Sequence, residues 1–460
     1  PEPIADFIDI VSLGEGEDVT AELIELHRKA RREGWSKADF LRRAAQVPGL
    51  YVPSLYDVEY NPDGTVKAII PRDGAPKVVR KRIVKDMDKS YYPTKTIVPS
   101  TEIVQDRVTL ELFRGCIRGC RFCQAGYVYR PVRNRSEELC ARYGVEACND
   151  SGYQEVTLSS LSTSDYPQLT ELCDDLEGFC QERHVNLSLP SLRADNFSMS
   201  LMQRLAKGRK SGLTFAPEAG TQRLRDVINK NVTQEELLAS CRTAFAGGYS
   251  AVKLYFMLGL PTETDEDVLG IADLAARVMH AWRESASNKQ RGVRITVSTS
   301  WFVPKPHTAF QWEPQISKEE YQRRVKLLRE AITTKTVTYN WHDPDTSFLE
   351  AVLARGDRRM CKVLEAAWRK GAKLDAWEEY FSLERWMEAF DECGLDPHFY
   401  ANRQREKDEI MPWSVISSGV TEEYLWRELQ RAKAGVTTPD CRTHCNACGA
   451  NHLVGGTCHV

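Results

Sequence analysis

No cysteine precedes position 116, yet 14 follow in a chain of 460 residues. So uneven a spread, in a chain long enough to own a core, argues against a disulfide scaffold. It fits metal ligands in a reducing, cytoplasmic compartment. No apolar run approaches the ~18 residues of a membrane span, so no membrane partner is expected. No signal peptide is expected, and the sequence shows no internal repeat or low-complexity tract. The formal charge of -3 provides no global attraction to nucleic acid or anionic lipid. A local nucleic-acid contact stays open. The chain starts at Pro1 without a methionine, so further chain upstream is expected. Hydrophobic residues make up 42%, enough for large buried cores.

What is present is an alternation of short strands and amphipathic helices over residues 106–335. Strands are expected in "RVTLELF" from 107, "EVTLSS" from 155, "VNLSLP" from 185, "LTFAP" from 213, "AVKLYFM" from 251 and "VRITVSTSWF" from 293. Thr233 and Glu236 form a capping box at the start of one helix, and an acidic turn from Asp265 to Asp267 opens another. Such units imply a parallel sheet, closed or partly closed into a (β/α)6 barrel, with its chemistry in the loops after the strands. Around this core we expect four other segments. Residues 1–40 hold one strand, "FIDIVSL", and a helix. Residues 41–105 form a linker with a hairpin turning at "NPDG". Residues 336–435 are helical, with Ser347 and Glu350 as a capping box and Gly371, Gly394 and Gly435 as stops. Residues 436–460 form a cysteine-rich tail.

The segment "ELFRGCIRGCRFCQAGYVYR" places Cys116, Cys120 and Cys123 in the order C-x3-C-x2-C, directly after the first strand. Thiolates in this number suit a [4Fe–4S] cluster that keeps one iron free of protein ligands. A zinc site completed by Cys140 or Cys148, or three unrelated buried thiols, are the plainer readings. The loop's place at the reactive rim favours the cluster.

A C-x3-C-x2-C loop after the first strand of a partial barrel resembles the radical S-adenosylmethionine (SAM) superfamily. The resemblance implies that the three thiolates hold the cluster and that SAM chelates its fourth iron. One electron then breaks the sulfonium C–S bond and yields a 5′-deoxyadenosyl radical, with the protein positioning the cofactor and excluding water. A reductant such as ferredoxin or flavodoxin is implied as partner. Phe122 matches the family pattern and is expected beside the adenine. After the second strand, "SSLSTSDY", with Ser162, carries hydroxyls where many members carry glycines. Arg193, in "SLRAD" with Ser191, follows the third strand. Glu218, with Arg223 and Arg225, follows the fourth and is the leading candidate for a polar contact to SAM. Gly259 and Pro261 offer close backbone approach after the fifth. Lys305 and His307 follow the sixth, and a lone histidine is more often structural than catalytic.

"PEPIADFIDIVSLGEGE" looks like the end of a cobalamin-binding domain. Together with "SLSTSDY", "FAPEAGTQRLRDVINK", "KLYFMLGLPTE", "FVPKPHTAFQW" and "HDPDTSFLEAVLARGDRRM" it resembles an uncharacterised bacterial family of cobalamin-binding-domain radical SAM proteins. That likeness implies methyl transfer from cobalamin to an unactivated carbon. The motif Asp-x-His-x-x-Gly is absent, so no residue here is assigned to cobalamin. Two alternatives stand beside it. One is methylthiotransferase-like modification of tRNA or a ribosomal protein, opposed by the missing cysteines before Cys116. The other is a non-enzymatic iron–sulfur or zinc interaction protein.

Arg114, Arg118, Arg121, Arg130, Arg133 and Arg135 crowd the first loop. They read either as a phosphate-binding patch or, more simply, as balance for an anionic cluster and a carboxylate ligand. In the tail, Cys441, Cys445, Cys448 and Cys458 are spaced C-x3-C-x2-C-x9-C, which suits a second [4Fe–4S] cluster or a structural zinc. His444, His452 and His459 lie among them as possible substitutes. His342, Asp343 and Asp345 read as helix capping, followed by a solvated charged turn over 355–359.

Overall fold

The computed structural model describes residues 1–189, 213–290 and 292–458. The protein is mixed α/β with a parallel-sheet core, as the alternation implies. Strand Val108–Glu111 pairs in parallel with Glu155–Ser159, which pairs in parallel with Asn186–Ser188. A four-stranded parallel sheet follows, ordered Leu213–Glu218, Ala251–Leu258, Arg294–Trp301 and Val337–Trp341. Within each sheet the strand order follows the chain. Residues 190–212 separate the two sheets in sequence, and among the described residues no strand pairs the one sheet to the other.

Period-two burial explains the strands. Ala251–Leu258 buries Val252, Leu254, Phe256 and Leu258 on one face. Helices Gln234–Ala246, Asp265–Ser285 and Lys318–Ala331 cover that face with Leu237, Phe245, Ile271, Leu274, Val325 and Leu328. Thr233 and Glu236 form the expected capping box, and Thr264 forms another with Asp267.

Val337–Trp341 is a correction: the sequence reads as helical from 336, yet this segment adds a strand to the sheet. Its polar, aromatic-rich run "VTYNW" lacks the continuous apolar face of the other strands, because it is the outermost and only Val337 is buried. The next helix, Pro344–Arg355, is capped by Asp343, whose carboxylate accepts from the Asp345 and Thr346 amides at 3.0 and 2.9 Å. Ser347 lies inside that helix with its hydroxyl on the Asp343 carbonyl, so no Ser347–Glu350 box forms. Nor is 355–359 a solvated turn. Arg355 is fully buried, donating to the carbonyls of Tyr400, Pro304 and Glu313, and Asp357 is buried with it. Helices Leu383–Glu392 and Glu422–Lys433 lie where expected, followed by left-handed Gly394 and Gly435.

At the beginning of the chain the expected strand is confined to Val11–Ser12, which pairs antiparallel with Leu50–Tyr51. Helix Gly16–Glu33 follows. The hairpin Tyr56–Tyr60 and Val66–Pro71 turns at the predicted place. Val19, Leu41, Tyr51, Tyr56, Val79 and the distant Val415 share one core, which runs across position 40. Among the described residues no helix is long and apolar enough to cross a membrane.

Candidate metal centre

The three-cysteine loop begins as strand Val108–Glu111 ends, and a short clasp holds its two ends together. Phe113–Arg114 pairs antiparallel with Arg133–Asn134. Gly115, at φ 91°, makes the turn into the loop. A Cβ there would stand 2.8 Å from the Pro131 carbonyl oxygen and 2.9 Å from that of Tyr129, so only glycine lets the clasp close. Cys123 leads into helix Gln124–Val128.

The loop is anchored from below by backbone and side chains. The Arg121 amide donates to the Ile228 carbonyl at 2.9 Å, and Asn229 Nδ2 donates to the Gly119 carbonyl at 3.0 Å. Arg130 Nη2 donates to the Arg118 carbonyl at 2.9 Å. Arg118 grips Asp165 with two nitrogens at 2.9 and 2.5 Å, and Ser162 Oγ donates to the same carboxylate at 2.6 Å. Gln124 Nε2 reaches the Pro306 carbonyl at 3.0 Å, bringing the loop after the sixth strand to the cysteines.

All cysteines are free thiols. Burial pushes Cys116 up to about 12, with Cys120 and Cys123 adding to the effect, and burial likewise raises Cys123. Left alone, Cys116 and Cys123 hold their protons at neutral pH, so a metal must displace them to bind. Cys140 and Cys148 do not complete a zinc site with them. Both pack into the core on helix Glu137–Ser151, with Leu110, Leu158 and Leu172. The loop therefore offers three thiols within electrostatic range of one another, a donor set that fits a cluster with one iron left open. Among the described residues no three His, Cys, Asp or Glu side chains converge closely enough to hold a single metal ion. A cubane does not ask for that convergence, since its thiolates sit at separate corners.

Beside Cys123 stands an ion pair. Lys230 Nζ meets Glu218 Oε1 at 3.2 Å, both side chains mostly buried, and both charges are felt at the Cys123 sulfur. Lys230 also lies 5.9 Å above the Phe122 ring. Glu218 ends its strand at φ 68°, just past a register shift against Ala251–Leu258, where it pairs with Phe256. Thus Phe122 and Glu218 gather at the cysteines. Lys230, at the end of the same "APEAGTQRLRDVINK" segment, joins them unanticipated, because a lysine twelve residues on carries no spacing signal.

Other expected residues serve the scaffold. Ser162 is buried and committed to Asp165. Gly259, at φ 88°, gives its amide to Glu263 at 2.7 Å, and a Cβ there would meet Ile316 at 2.9 Å. Arg223 pairs with Asp267, and buried Arg225 donates to the Ala219 carbonyl. Lys305 pairs at the surface with Glu350 at 2.9 Å. His307 is largely buried, and that burial lowers it to about 4. Ser191 and Arg193 lie outside the described residues. The crowded arginines form no surface patch: Arg121, Arg130, Arg133 and Arg135 are buried, and Arg114 is held by Glu111, Glu15 and Glu17.

Residues 110–275 match the family described as the Radical SAM superfamily. The chain carries a radical SAM domain. Residues 1–53 match a second family, described as Radical SAM proteins, N-terminal. An uncharacterized protein of Methanocaldococcus jannaschii is 28% identical over 397 residues, 85% of this chain and 77% of that one. A tRNA-2-methylthio-N(6)-dimethylallyladenosine synthase of Thermotoga petrophila is 26% identical over 233 residues, 46% of this chain and 47% of that one. An uncharacterized methyltransferase of Pyrococcus horikoshii is 21% identical, over 57% of this chain and 51% of that one. The chain thus spans about half the length of these last two relatives. Among solved structures, the radical SAM methyltransferase TsrM of Kitasatospora setae, with cobalamin and a [4Fe–4S] cluster bound, overlays with a TM-score of 0.45 at 15% identity. It covers 65% of this chain and 54% of that one, a likeness too slight to argue from. A radical SAM domain implies a [4Fe–4S] cluster and SAM as its cofactors.

Proposed function

We propose that Cys116, Cys120 and Cys123 hold the cluster of this radical SAM enzyme, and that Glu218, Lys230 and Phe122 receive SAM beside it. The observation that carries this reading is the Glu218–Lys230 ion pair standing at Cys123, with Lys230 over the Phe122 ring. Bound there, the cluster would supply one electron to SAM, splitting it into methionine and a 5′-deoxyadenosyl radical. The chain's own residues do the rest. The aromatic ring offers a flat apolar face to adenine, and the carboxylate accepts from an amino or hydroxyl group of the nucleoside or methionine part. Lys230 holds that carboxylate in place and faces the negative charge of the thiolates. Phe302, Phe310 and Trp312, buried behind Phe122, keep water from that side.

We further propose methyl transfer as the reaction class, with cobalamin held by chain upstream of Pro1, a reductant of the ferredoxin or flavodoxin kind, and a cytoplasmic setting. The resemblance of the opening segment and of the long motifs supports it, and the free state of all the cysteines suits the setting. Methylthiotransfer is a second reading, favoured by the likeness to the Thermotoga synthase.

The test is anaerobic reconstitution with iron, sulfide and a chemical reductant, followed by mass spectrometry for 5′-deoxyadenosine. The protein should release it, and Cys120→Ala should not. Release undiminished in that variant would sink the assignment. Adding cobalamin and cell extract, with methyl-labelled SAM, then separates a methylated product from a methylthiolated one.

A further inference from the structure

The tail packs against the loop that carries the first three cysteines. The Cys441 amide donates to the Ile117 carbonyl at 3.1 Å. Asp440 lies 3.6 Å from Arg118, and Arg442 donates to the Asp165 carbonyl. Just before them, Thr438 is buried, its amide on Asn229 Oδ1 at 2.8 Å and its hydroxyl on Glu428. The same Asn229 bridges to Gly119 of the first loop. Tail and loop therefore share one hydrogen-bonded seam.

Beyond that seam the tail meets the segment after Ser418, where the Thr421 amide donates to the Cys448 carbonyl at 2.9 Å and Arg427 to the Asn446 carbonyl at 2.7 Å. Only Ala450 and Leu453 are buried between Cys441 and Cys458. The backbone is nevertheless held in demanding conformations, with φ 52° at Ala447 and 93° at Gly449. The fold also returns the distant thiol to the others: Cys458 lies within electrostatic range of Cys448, Cys441 and Cys445. The tail's apolar complement is small, and a bound metal would contribute folding free energy outright.

Charge adds a second observation. Arg130 is buried, and its Nη1 has no hydrogen-bond partner. Its Nε donates to the Gly126 carbonyl and its Nη2 to that of Arg118, so the guanidinium is fixed between the first loop and the tail. Cys441 and Cys448 lie within electrostatic range of it, and the amine of Lys81, lowered by burial to about 7, lies near Cys448. The Arg130 cation is already partly compensated by the Tyr127 and Tyr424 rings, 5.2 and 5.8 Å away, and by the two carbonyl acceptors. Facing metal-bound thiolates it is matched.

We propose that Cys441, Cys445, Cys448 and Cys458 form a second, fully thiolate-ligated metal centre, with Arg130 as its buried countercharge and the seam at Ile117 joining it to the first. Thiolates select a thiophilic metal, and because among the described residues no three of these side chains converge on a single ion, iron as a second cubane suits them better than one zinc. His444 and His452 are exposed beside it, and His459 lies outside the described residues. The assignment does not depend on the reading of the first loop.

The test is metal analysis of the whole chain purified without oxygen. Cys445 is exposed, so Cys445→Ala removes a ligand without opening a core. Cys445→Ala, and separately Cys458→Ala, should lower iron by about four per chain if the centre is a cubane, or zinc by about one. Either loss supports the centre and tells which metal it takes. The iron bound through Cys116, Cys120 and Cys123 should remain, read from the electron paramagnetic resonance signal that shifts on adding SAM. Iron and zinc contents equal to the wild type in both variants would overturn the proposal. Cys120→Ala, which removes only the first cluster, separates that result from a failure of the first site.

Discussion

Arg121, set between Cys120 and Phe122, reaches 307 residues along the chain to Glu428, with Nε 3.1 Å from the carboxylate and both side chains almost wholly buried. Its other nitrogens hold the carbonyls of Val227 at 2.9 Å and Val436 at 2.7 Å. One side chain within the cysteine triad thus ties the fourth β/α unit, helix Glu422–Lys433 and the entry to the tail into a single assembly.

Breaking that pair leaves an uncompensated buried charge. Glu428→Leu should cost about 3–5 kcal/mol in chemical denaturation, while Arg121→Met with Glu428→Leu should recover much of the loss. A double variant as unstable as the sum of the singles would show that the pair does not act as a unit.

Glu218→Gln keeps shape and removes the charge that holds Lys230. Iron content should stay at the wild-type value. SAM cleavage should fall about ten- to a hundred-fold, the worth of one hydrogen bond to a charged group. Loss of iron instead would make Glu218 part of the loop's scaffold.

Gly115→Ala forces a Cβ against the Pro131 and Tyr129 carbonyl oxygens at a left-handed φ. The clasp should open, lowering cluster loading and adding more than about 1 kcal/mol of instability. Iron-to-protein ratio and a thermal melt on the same sample check both.

His307 gives a pH dependence with a definite sign. Burial holds it near 4 in the folded protein, against an ordinary value of 6.5. The unfolded chain therefore takes up a proton that the folded protein refuses. Stability should fall as pH drops from 6.5 towards 4, by at most about 3 kcal/mol. His307→Asn, a residue suited to its φ of 58°, should flatten that limb in denaturant titrations at several pH values. An unchanged slope would place the acid sensitivity elsewhere. Because His307 stays neutral throughout, its titration should leave no mark on a cleavage profile between pH 6 and 9.

Much of this protein was legible from local pattern. The six strands from "RVTLELF" to "VRITVSTSWF" lie where period-two hydrophobicity places them, since alternation reports burial directly. Thr233 with Glu236, and Gly394 and Gly435 after their helices, obey rules that act within one turn of chain. Asp343 took the cap expected of Ser347 because the choice between two nearby capping residues depends on where the preceding strand ends. That strand, Val337–Trp341, exists through its pairing with Arg294–Trp301 and carries little signal of its own.

Sequence alone determined the chemistry on offer: three thiols in C-x3-C-x2-C, four more in the tail, and the barrel units that set the first group at a strand's end. Tertiary structure alone decided what faces them. Lys230 beside Cys123, Arg121 on Glu428, Cys441 on Ile117 and Arg130 between loop and tail join residues far apart in the chain. Nor could the arginines' fate be read locally. A run of cations looks the same whether it meets solvent or carbonyl groups, and only packing, which supplies buried acceptors to Arg121, Arg130 and Arg133, makes their burial affordable in free energy.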